Sequence, residues 1–508
     1  MVIIMENDLI SSISIGLATA LTWSNLGFCL GGVLLGMFVG VLPGIGAMTA
    51  ISMLMPLVYH LDPTSALIML GGIWYGTAYG GSIASILLNL PGTPSTAVTC
   101  LDGYPMARQG RAGIALFMTT VASFFGASVG IVLMMLFSPV IVNVAFNFTS
   151  AEYFSLMVLG LIAASTISAE SPVKGLAMVG IGILLGLVGM DLYASVPRFT
   201  LGFYELLEGI SLVALALGIF GVAEIIASAR IDQSGTLMSK VTFRSMIPTQ
   251  DDRRRSLMPM VRGSGVGAFF GILPGIGPSI ASFLAYAWER KVADEPQRFG
   301  HGAIEGIIAP EAANNAADQA AFIPTMTLGI PGSPTMALII GVLIIHGITP
   351  GPTLVTERPD LFWGLIMSFW IGNILLLIIN IPLIGIWVRL LQVPYGYLYP
   401  AVVMFMCIGA FTIHNNPFDV FSIMVFGLVG YGMRVLAFPV APLILGFVLG
   451  PLMEEHFRRA MTISFGDPMV FLQRPVSAGI LAITALFLLF SLVSFIRTKA
   501  AGTRARGG

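Results

Sequence analysis

Four short segments combine proline and glycine with small or hydroxyl-bearing residues inside otherwise apolar sequence. Two read GVLPGIGAMTA (40–50) and GILPGIGPSIA (271–281), and two read LPGTPSTA (90–97) and IPGSPTMA (330–337). Proline ends a helix and glycine permits close backbone approach, so each segment should present the unpaired, partially positive N–H groups of a helix start. Such amides, with hydroxyls beside them, can hold a carboxylate without an arginine. The segments therefore predict an anion site, with these candidate residues: Gly44, Gly46, Thr49, Thr93, Ser95, Thr96, Gly275, Gly277, Ser279, Gly332, Ser333 and Thr335.

A second cluster, in the later part of the chain, carries side-chain oxygens. Asn314, Asn315 and Asp318 lie within about one helical turn, and oxygens of this kind suit a hard cation such as sodium. An acid in apolar sequence is costly unless it is paired, ion-bound or facing water, so Asp318 is the strongest candidate. Asn89 is the expected counterpart in the first half, and Glu311 is expected nearer the interface. The alternative is that the amides only join helices by hydrogen bonds.

The composition of the chain indicates whether these segments lie in water or in a lipid bilayer. Of the 508 residues, 56% are hydrophobic and 10% charged, against about 25% charged in soluble domains. A membrane span takes roughly 20 apolar residues, which leaves room for about ten to fourteen spans. We therefore expect an all-α polytopic membrane protein with about 12 spans in the lipid bilayer. The net charge of -1 argues against nucleic acid as a partner.

The motifs recur in the same order, which indicates an internal repeat. The most polar stretch of the chain separates the two copies. We predict a first membrane repeat over 1–228, a cytoplasmic linker over 229–256, a second membrane repeat over 257–496 and a cytoplasmic tail over 497–508. For any single motif, the alternative is a glycine or proline kink in a packed helix.

Orientation follows from lysine and arginine in short loops. Basic residues gather in the linker and the tail, which places both in the cytoplasm. The loop after the second motif has a net charge of +1 in the first half (101–111) and -1 in the second (347–360). The two loops are therefore expected on opposite sides. This pattern favours inverted-topology repeats whose helices are discontinuous or re-entrant, the usual architecture of secondary transporters.

Four stretches resemble the large permease subunit of the tripartite tricarboxylate transporter family: GVLPGIGAMTAISMLMPL, LLNLPGTPSTA, VGMDLYASVPRFTLG and APEAANNAADQAAFIPTMTLGIPGSPTMA. The resemblance implies a cation-coupled carboxylate importer of the bacterial inner membrane. It also implies two partners, a small membrane subunit and a periplasmic solute-binding protein. No cofactor is expected beyond sodium or a proton as coupling ion. Asp318 and Gln319 interrupt the run of small residues that follows the asparagine pair in the family's usual pattern.

Two other functions stay open at this point. A passive anion channel could use the same half-helix ends without coupling. An intramembrane enzyme such as an aspartyl protease needs two facing aspartates, whereas the symmetry here lies in uncharged loops, so we do not expect an enzyme. No Walker A sequence or metal-ligand spacing of histidines is present. Arg434, which is more interior to its apolar run than the other charges, could pair with an acid or face the substrate.

Overall fold

The computed structural model describes residues 2–42, 46–167, 171–191, 193–228, 243–273, 277–391 and 395–506. Helices dominate these residues. The strands in the described part of the chain form one antiparallel hairpin, in which β1 (Gly189–Met190) pairs with β2 (Pro197–Arg198). The expectation of an all-α protein is therefore confirmed apart from this short hairpin.

Ten α-helices lie in the described residues of the first half of the chain. Two short segments extend them in π-helical geometry, at Ala107–Arg111 and Leu217–Val222, and two 3-10 turns lie at Pro94–Ala97 and Tyr204–Leu206. The helices are α1 (Val2–Ala20), α2 (Trp23–Val41), α3 (Ala47–Val58), α4 (Pro63–Leu88), α5 (Cys100–Met106), α6 (Ala112–Ala145), α7 (Ser150–Ile167), α8 (Pro172–Gly186), α9 (Leu212–Ala216) and α10 (Ala223–Ser228).

The part of the second half that the structure describes forms thirteen α-helices, with 3-10 turns at Phe243–Met246 and Pro296–Arg298. Its helices are α11 (Gln250–Ile272), α12 (Gly277–Val292), α13 (Glu305–Ala320), α14 (Phe322–Leu328), α15 (Pro334–Ile345), α16 (Pro352–Glu357), α17 (Pro359–Asn380), α18 (Ile384–Leu390), α19 (Tyr395–His414), α20 (Pro417–Val435), α21 (Val440–Ile463), α22 (Val470–Gln473) and α23 (Pro475–Arg506).

The predicted linker and tail overlap these helices. Helix α11 begins at Gln250, inside the predicted linker, and α23 continues through most of the predicted tail. Residues 229–242 of the linker lie outside the described residues. The division into repeats, linker and tail stays a prediction.

Several helices have the length and composition of membrane spans. By these two criteria, five helices or continuous helical segments in the described residues could cross a bilayer: Trp23–Val41, Cys100–Ala145, Pro359–Asn380, Pro417–Val435 and Val440–Ile463. Shorter apolar helices of 10–17 residues accompany them. The count of about 12 spans and the inverted topology stay predictions.

Helix α4 shows how local sequence sets the ends of these elements. The Asp62 carboxylate accepts a hydrogen bond from the Thr64 backbone N–H at 3.0 Å, and Pro63 occupies the first helical position, where its missing N–H costs nothing. The helix ends at Asn89, which adopts the left-handed conformation with φ 57°. Asparagine tolerates this conformation better than most residues, so the helix stops just before the first Pro-Gly-Thr-Pro segment.

Glycines bring two helix pairs into backbone contact in the same way in each half. A Cβ added to Gly36 of α2 would lie 2.3 Å from the Ile73 carbonyl oxygen of α4, and one added to Gly267 of α11 would lie 2.1 Å from that of Ala313 in α13. Small residues four apart allow such close approach between membrane helices. The glycines of α11 fall 231 positions after those of α2, at Gly32, Gly36, Gly40, Gly263, Gly267 and Gly271.

The two halves are also intertwined. Helix α6, which follows the broken motifs of the first half, packs on α13 of the second half. In return, α17 follows the broken motifs of the second half and packs on α4 of the first. This reciprocal exchange places α4 and α13 together at the centre of the molecule.

Candidate functional site

A cavity of about 940 Å³ lies where the broken segments meet. We call it the central cavity. Each of the four predicted motifs contributes to its wall, although the motifs are far apart in sequence. The predicted anion-site residues that line it are Gly46, Thr93, Ser95, Gly277, Ser279, Ser333 and Thr335.

Three helices begin at this wall. Gly46 precedes α3, Gly277 starts α12, and Ser333 caps α15 by accepting a hydrogen bond from the Met336 backbone N–H at 3.3 Å. A helix start carries partial positive charge because its first N–H groups have no partner within the helix. The wall therefore carries the partial positive charge that an anion site requires, and the anion site itself stays a prediction.

Hydroxyls shape the first-half segment of this wall. The Thr93 and Ser95 hydroxyl oxygens lie 3.0 Å apart, and both residues face the cavity. Thr96 does not line the cavity. Its hydroxyl accepts from the Thr93 backbone N–H at 3.2 Å and donates to the Thr93 carbonyl at 3.0 Å, so it holds the turn in place.

Glycines pack both Pro-Gly segments against the rest of their own halves. A Cβ on Gly92 would lie 2.5 Å from the Gly40 carbonyl oxygen, and one on Gly332 would lie 3.2 Å from that of Gly271. Gly332 thus serves close packing and does not line the cavity. The Pro-Gly segment of each half thus packs against the equivalent glycine of its own half.

The remaining anion-site candidates lie elsewhere or cannot be placed. The Thr49 hydroxyl donates to the Phe220 carbonyl at 2.9 Å and lines a neighbouring cavity instead. Gly44 and Gly275 lie outside the described residues.

The acid of the predicted cation cluster faces the central cavity. Asp318 is 2% exposed and lines the wall, with the Trp74 side chain of α4 beside its carboxylate. One carboxylate oxygen, Oδ1, has no hydrogen-bond partner among the described residues. Asn314 lies one turn earlier on the same face of α13, 1% exposed, and neither its amide oxygen nor its amide nitrogen has a partner there. Buried polar atoms are rarely left unpaired, so Asn314 and Asp318 are candidates for binding a ligand.

The other two predicted cation ligands have different surroundings. The Asn315 side-chain amide donates to the Glu311 carbonyl at 3.0 Å within the same helix. Asn89 has an exposed side chain at the end of α4 and does not line the central cavity. Its left-handed backbone matches that of Gly329 (φ 69°), which ends α14 before the equivalent segment of the second half. The structure thus gives Asn89 the position of a helix-ending residue, apart from Asn314 and Asp318.

From the sequence we expect Glu311 nearer the membrane interface. In the structure it is buried inside the protein, with 1% of its surface exposed. Its carboxylate accepts hydrogen bonds from the Thr99 hydroxyl at 2.6 Å and the Ser123 hydroxyl at 3.2 Å. These donors come from α6 and from the residue before α5, both in the first half of the chain. Glu311 therefore joins the two halves two turns before Asp318. In the sequence, its position four residues before Asn315 places both residues on the same helix face, and this spacing could have indicated that Glu311 is buried.

Aromatic residues of α4 were not predicted as part of the site. The Tyr75 hydroxyl donates to the Gln319 side-chain oxygen, and the amide nitrogen of Gln319 has no partner among the described residues. Apolar sequence rich in aromatics gives no signal that separates a site residue from a core residue.

Broken helices that converge on one cavity, with buried unpaired polar groups in its wall, are typical of a membrane transporter. Comparison with known proteins agrees with this class. The chain belongs to the tripartite tricarboxylate transporter TctA family, whose sequence model matches residues 26–445. Members of this family are the large membrane subunits of tripartite transporters.

Two curated relatives come from Agrobacterium vitis. An "Uncharacterized 52.8 kDa protein in TAR-I ttuC' 3'region" is 49% identical over 492 residues, which cover 97% of this chain and 98% of the relative. An "Uncharacterized protein in TAR-II ttuC' 3'region" is 53% identical over 233 residues, covering 46% of this chain and 96% of the relative. No solved structure matches the chain.

Proposed function

We propose that this chain is the permease subunit of a binding-protein-dependent secondary transporter that imports carboxylates. Import is driven by a coupling cation, sodium or a proton, and proceeds by alternating access. The small membrane subunit and the periplasmic solute-binding protein are its partners, and the bacterial inner membrane is its location. Membership of the TctA family supports the substrate class and the partners.

The observation that carries the coupling proposal is the charge of the cavity wall. Among the described residues that line the central cavity, Asp318 is the only one with an ionisable side chain. An ionised Asp318 opposes an anionic substrate, whereas the helix starts attract it. Two like unit charges about 8 Å apart, at an effective dielectric constant of about 20, repel by about 2 kcal/mol. A cation or proton on Asp318 removes this penalty, so cation and carboxylate bind together more readily than either alone.

The cation site itself is assigned to α13. Oδ1 of Asp318 and the amide oxygen of Asn314 are buried, unpaired among the described residues and one helical turn apart. A bound sodium ion would supply the partner that both oxygens lack. Asn315 is the weaker candidate because its amide nitrogen ties the side chain to the Glu311 carbonyl and its amide oxygen is not among the buried oxygens found unpaired in the described chain.

Alternating access requires two halves that can move around a fixed site. The shared glycine contacts and the reciprocal packing of α6 and α17 support a pseudo-twofold relation between the halves. The charges of the loops at 101–111 and 347–360 favour an inverted relation, with the linker and tail in the cytoplasm. The central cavity would then open to each side in turn.

The experiment is uptake into proteoliposomes that contain the permease, its small subunit and the binding protein. Labelled citrate, succinate and benzoate represent tri-, di- and monocarboxylates. A sodium gradient and a proton gradient are each imposed inward, reversed or omitted. We expect at least one carboxylate to accumulate above its external concentration when one inward gradient is present, and accumulation to reverse with that gradient.

Downhill equilibration that ignores both gradients would contradict the coupling and favour a passive anion pathway. Absence of any carboxylate movement would overturn the substrate class as well. Proteoliposomes without the binding protein serve as the control for dependence on that partner.

A further inference from the structure

A second cavity of about 440 Å³ adjoins the central cavity on the side of the first-half motifs. We call it the vestibule. The two cavities share four lining residues, Gly46, Met48, Thr93 and Pro94. Among the described residues, the wall that the two cavities share is therefore formed by the broken segments of the first half.

The vestibule contains an ion pair, which the central cavity does not have among its described residues. Arg434 of α20 and Glu224 of α10 are the only charged residues that line the vestibule in the described chain, and the Arg434 guanidinium hydrogen-bonds the Glu224 carboxylate. The Arg434 side chain is 53% exposed and that of Glu224 is 23% exposed. The protein therefore does not enclose the pair.

The helices that carry the pair are held firmly together. A Cβ on Gly430 would lie 3.0 Å from the Ala223 Cβ, and one on Gly218 would lie 2.7 Å from the Ile423 carbonyl oxygen. Such close packing fixes the backbone near Glu224 and Arg434. Any change in the pair must come from rotation of the two side chains.

The vestibule lies at a definite end of the molecule. Val440, at the start of α21, lines the vestibule, while Arg458 near the other end of α21 pairs with Asp191 of the β-hairpin segment. The vestibule and the hairpin are therefore at opposite ends of this helix. Glu224 lies just before the segment 229–256, so the vestibule is on the side that the proposed orientation assigns to the cytoplasm.

We propose that the vestibule is a second carboxylate-binding site, in which Arg434 binds one carboxylate of a di- or tricarboxylate in place of Glu224. This inference rests on the proposed function. It adds a site on the cytoplasmic side of the first-half broken segments. A guanidinium can bind a carboxylate through two parallel hydrogen bonds, so a substrate carboxylate is a full substitute for Glu224. Exposed ion pairs contribute little net stability in water, so the exchange costs little in either direction when the vestibule is hydrated.

The test measures inhibition of uptake by citrate inside the vesicles. Proteoliposomes with the complete transporter receive the binding protein only outside, which selects molecules whose linker side faces the lumen. Uptake of labelled citrate is then measured at increasing luminal citrate. We expect Arg434→Gln to raise the half-inhibitory luminal concentration at least tenfold. Glu224→Gln should leave it unchanged or lower it, because it removes the competing carboxylate.

A matched control uses another exposed pair that lines neither cavity. Arg459 bonds Glu455 one turn earlier on α21, with similar exposure, and Arg459→Gln should leave the half-inhibitory concentration unchanged. If Arg434→Gln does not assemble, Arg434→Lys decides the matter. Lysine keeps the charge but cannot make two parallel bonds, so a rise of about threefold is expected, and no rise overturns the inference.

A purely structural ion pair gives a different result. In that case Arg434→Gln and Glu224→Gln are equally harmful, and the reversed pair Glu224→Arg with Arg434→Glu restores the wild-type value. That outcome overturns the second site. So does wild-type protein that accumulates citrate without luminal inhibition, while the proposed function survives. A wild-type protein that moves no carboxylate refutes the proposed function itself.

Discussion

Helices α4 and α13 occupy equivalent places in the two halves but differ in chemistry. Each packs against a glycine-lined helix of its own half, α2 or α11, and each leads to a Pro-Gly segment at the central cavity. Positions in α13 and α14 fall 240 residues after their counterparts in α4. At these positions α4 has Trp74, Tyr75, Ala78 and Tyr79, whereas α13 has Asn314, Asn315, Asp318 and Gln319.

The two halves thus share their glycine contacts, whereas the buried amide and acid groups lie only on the α13 side of this comparison. Aromatic rings of α4 lie against the polar face of α13, as the Tyr75–Gln319 hydrogen bond and the position of Trp74 beside Asp318 show. The first half thus supplies a rigid, mostly apolar wall around polar groups from the second half. The proposed cation site therefore draws its oxygens from the second half alone.

The largest effect is expected where the two halves are alike. Ser95→Trp and Ser333→Trp each place an indole in the central cavity, so either change should reduce uptake to below about 1% of wild type. Initial uptake rates, corrected for the amount of protein inserted, provide the measurement. Val132→Trp on the exposed face of α6 is the control and should transport normally. Normal uptake by both serine variants would remove the proposed substrate site.

The next effect separates two neighbouring asparagines of α13. Asn314→Ala should raise the cation concentration for half-maximal uptake at least tenfold, a loss of about 1.4 kcal/mol, because it removes a cation ligand. Asn315→Ala should change it by less than about threefold, since the Asn315 amide nitrogen holds the side chain on the Glu311 carbonyl and its oxygen is not among the buried unpaired oxygens of the described chain. Uptake measured against cation concentration distinguishes them. Equal shifts would assign both asparagines the same role.

A third change tests the repeated scaffold. Gly36→Ala and Gly267→Ala each force a methyl group against a carbonyl oxygen of the facing helix, and should destabilise the protein by about 1–3 kcal/mol each. Thermal unfolding in detergent measures this, and the two losses should be similar. Gly27 and Gly265, on the same two helices, have no heavy atom within 4 Å of an added Cβ, so their alanine variants are controls. A large loss in one half alone would contradict the equivalence of the halves.

The smallest effect concerns the contact between the two helices. Tyr75→Phe removes the hydroxyl that donates to Gln319, a loss of about 1 kcal/mol, and should shift the cation dependence of uptake a few-fold. Tyr79 instead donates to Asn373 of α17 at 2.8 Å. Tyr79→Phe should therefore lower the unfolding temperature without a shift in cation dependence. The reverse pattern would show that α4 does not support the cation site through Tyr75.

Sequence gave enough to predict the helical membrane class and to identify segments that the structure brings together at one cavity. Proline and glycine in apolar sequence carry a strong local signal because membrane helices seldom tolerate unpaired backbone. Thr49 and Gly332 contact residues that are distant in the sequence, whereas Thr96 makes hydrogen bonds inside its own turn. Composition cannot distinguish such supporting residues from residues that face the cavity.

Two further differences have a similar cause. Asn89 precedes a broken motif, where a site residue is expected, but in the structure it ends a helix in the left-handed conformation. Asparagine is suited to both roles, so the residue type does not distinguish them. Glu311 is buried because hydroxyls from two distant segments satisfy its carboxylate. Only the packed fold brings those hydroxyls to it.

The most direct test of the central claim is accumulation of the transported carboxylate by Asp318→Asn in proteoliposomes, under the gradient that drives the wild type. Asparagine keeps the size of the side chain but has no charge to neutralise. We expect this variant to lose accumulation above the external concentration, and any remaining uptake no longer to respond to the gradient. Wild-type accumulation that still follows the gradient would contradict the assignment of cation coupling to Asp318.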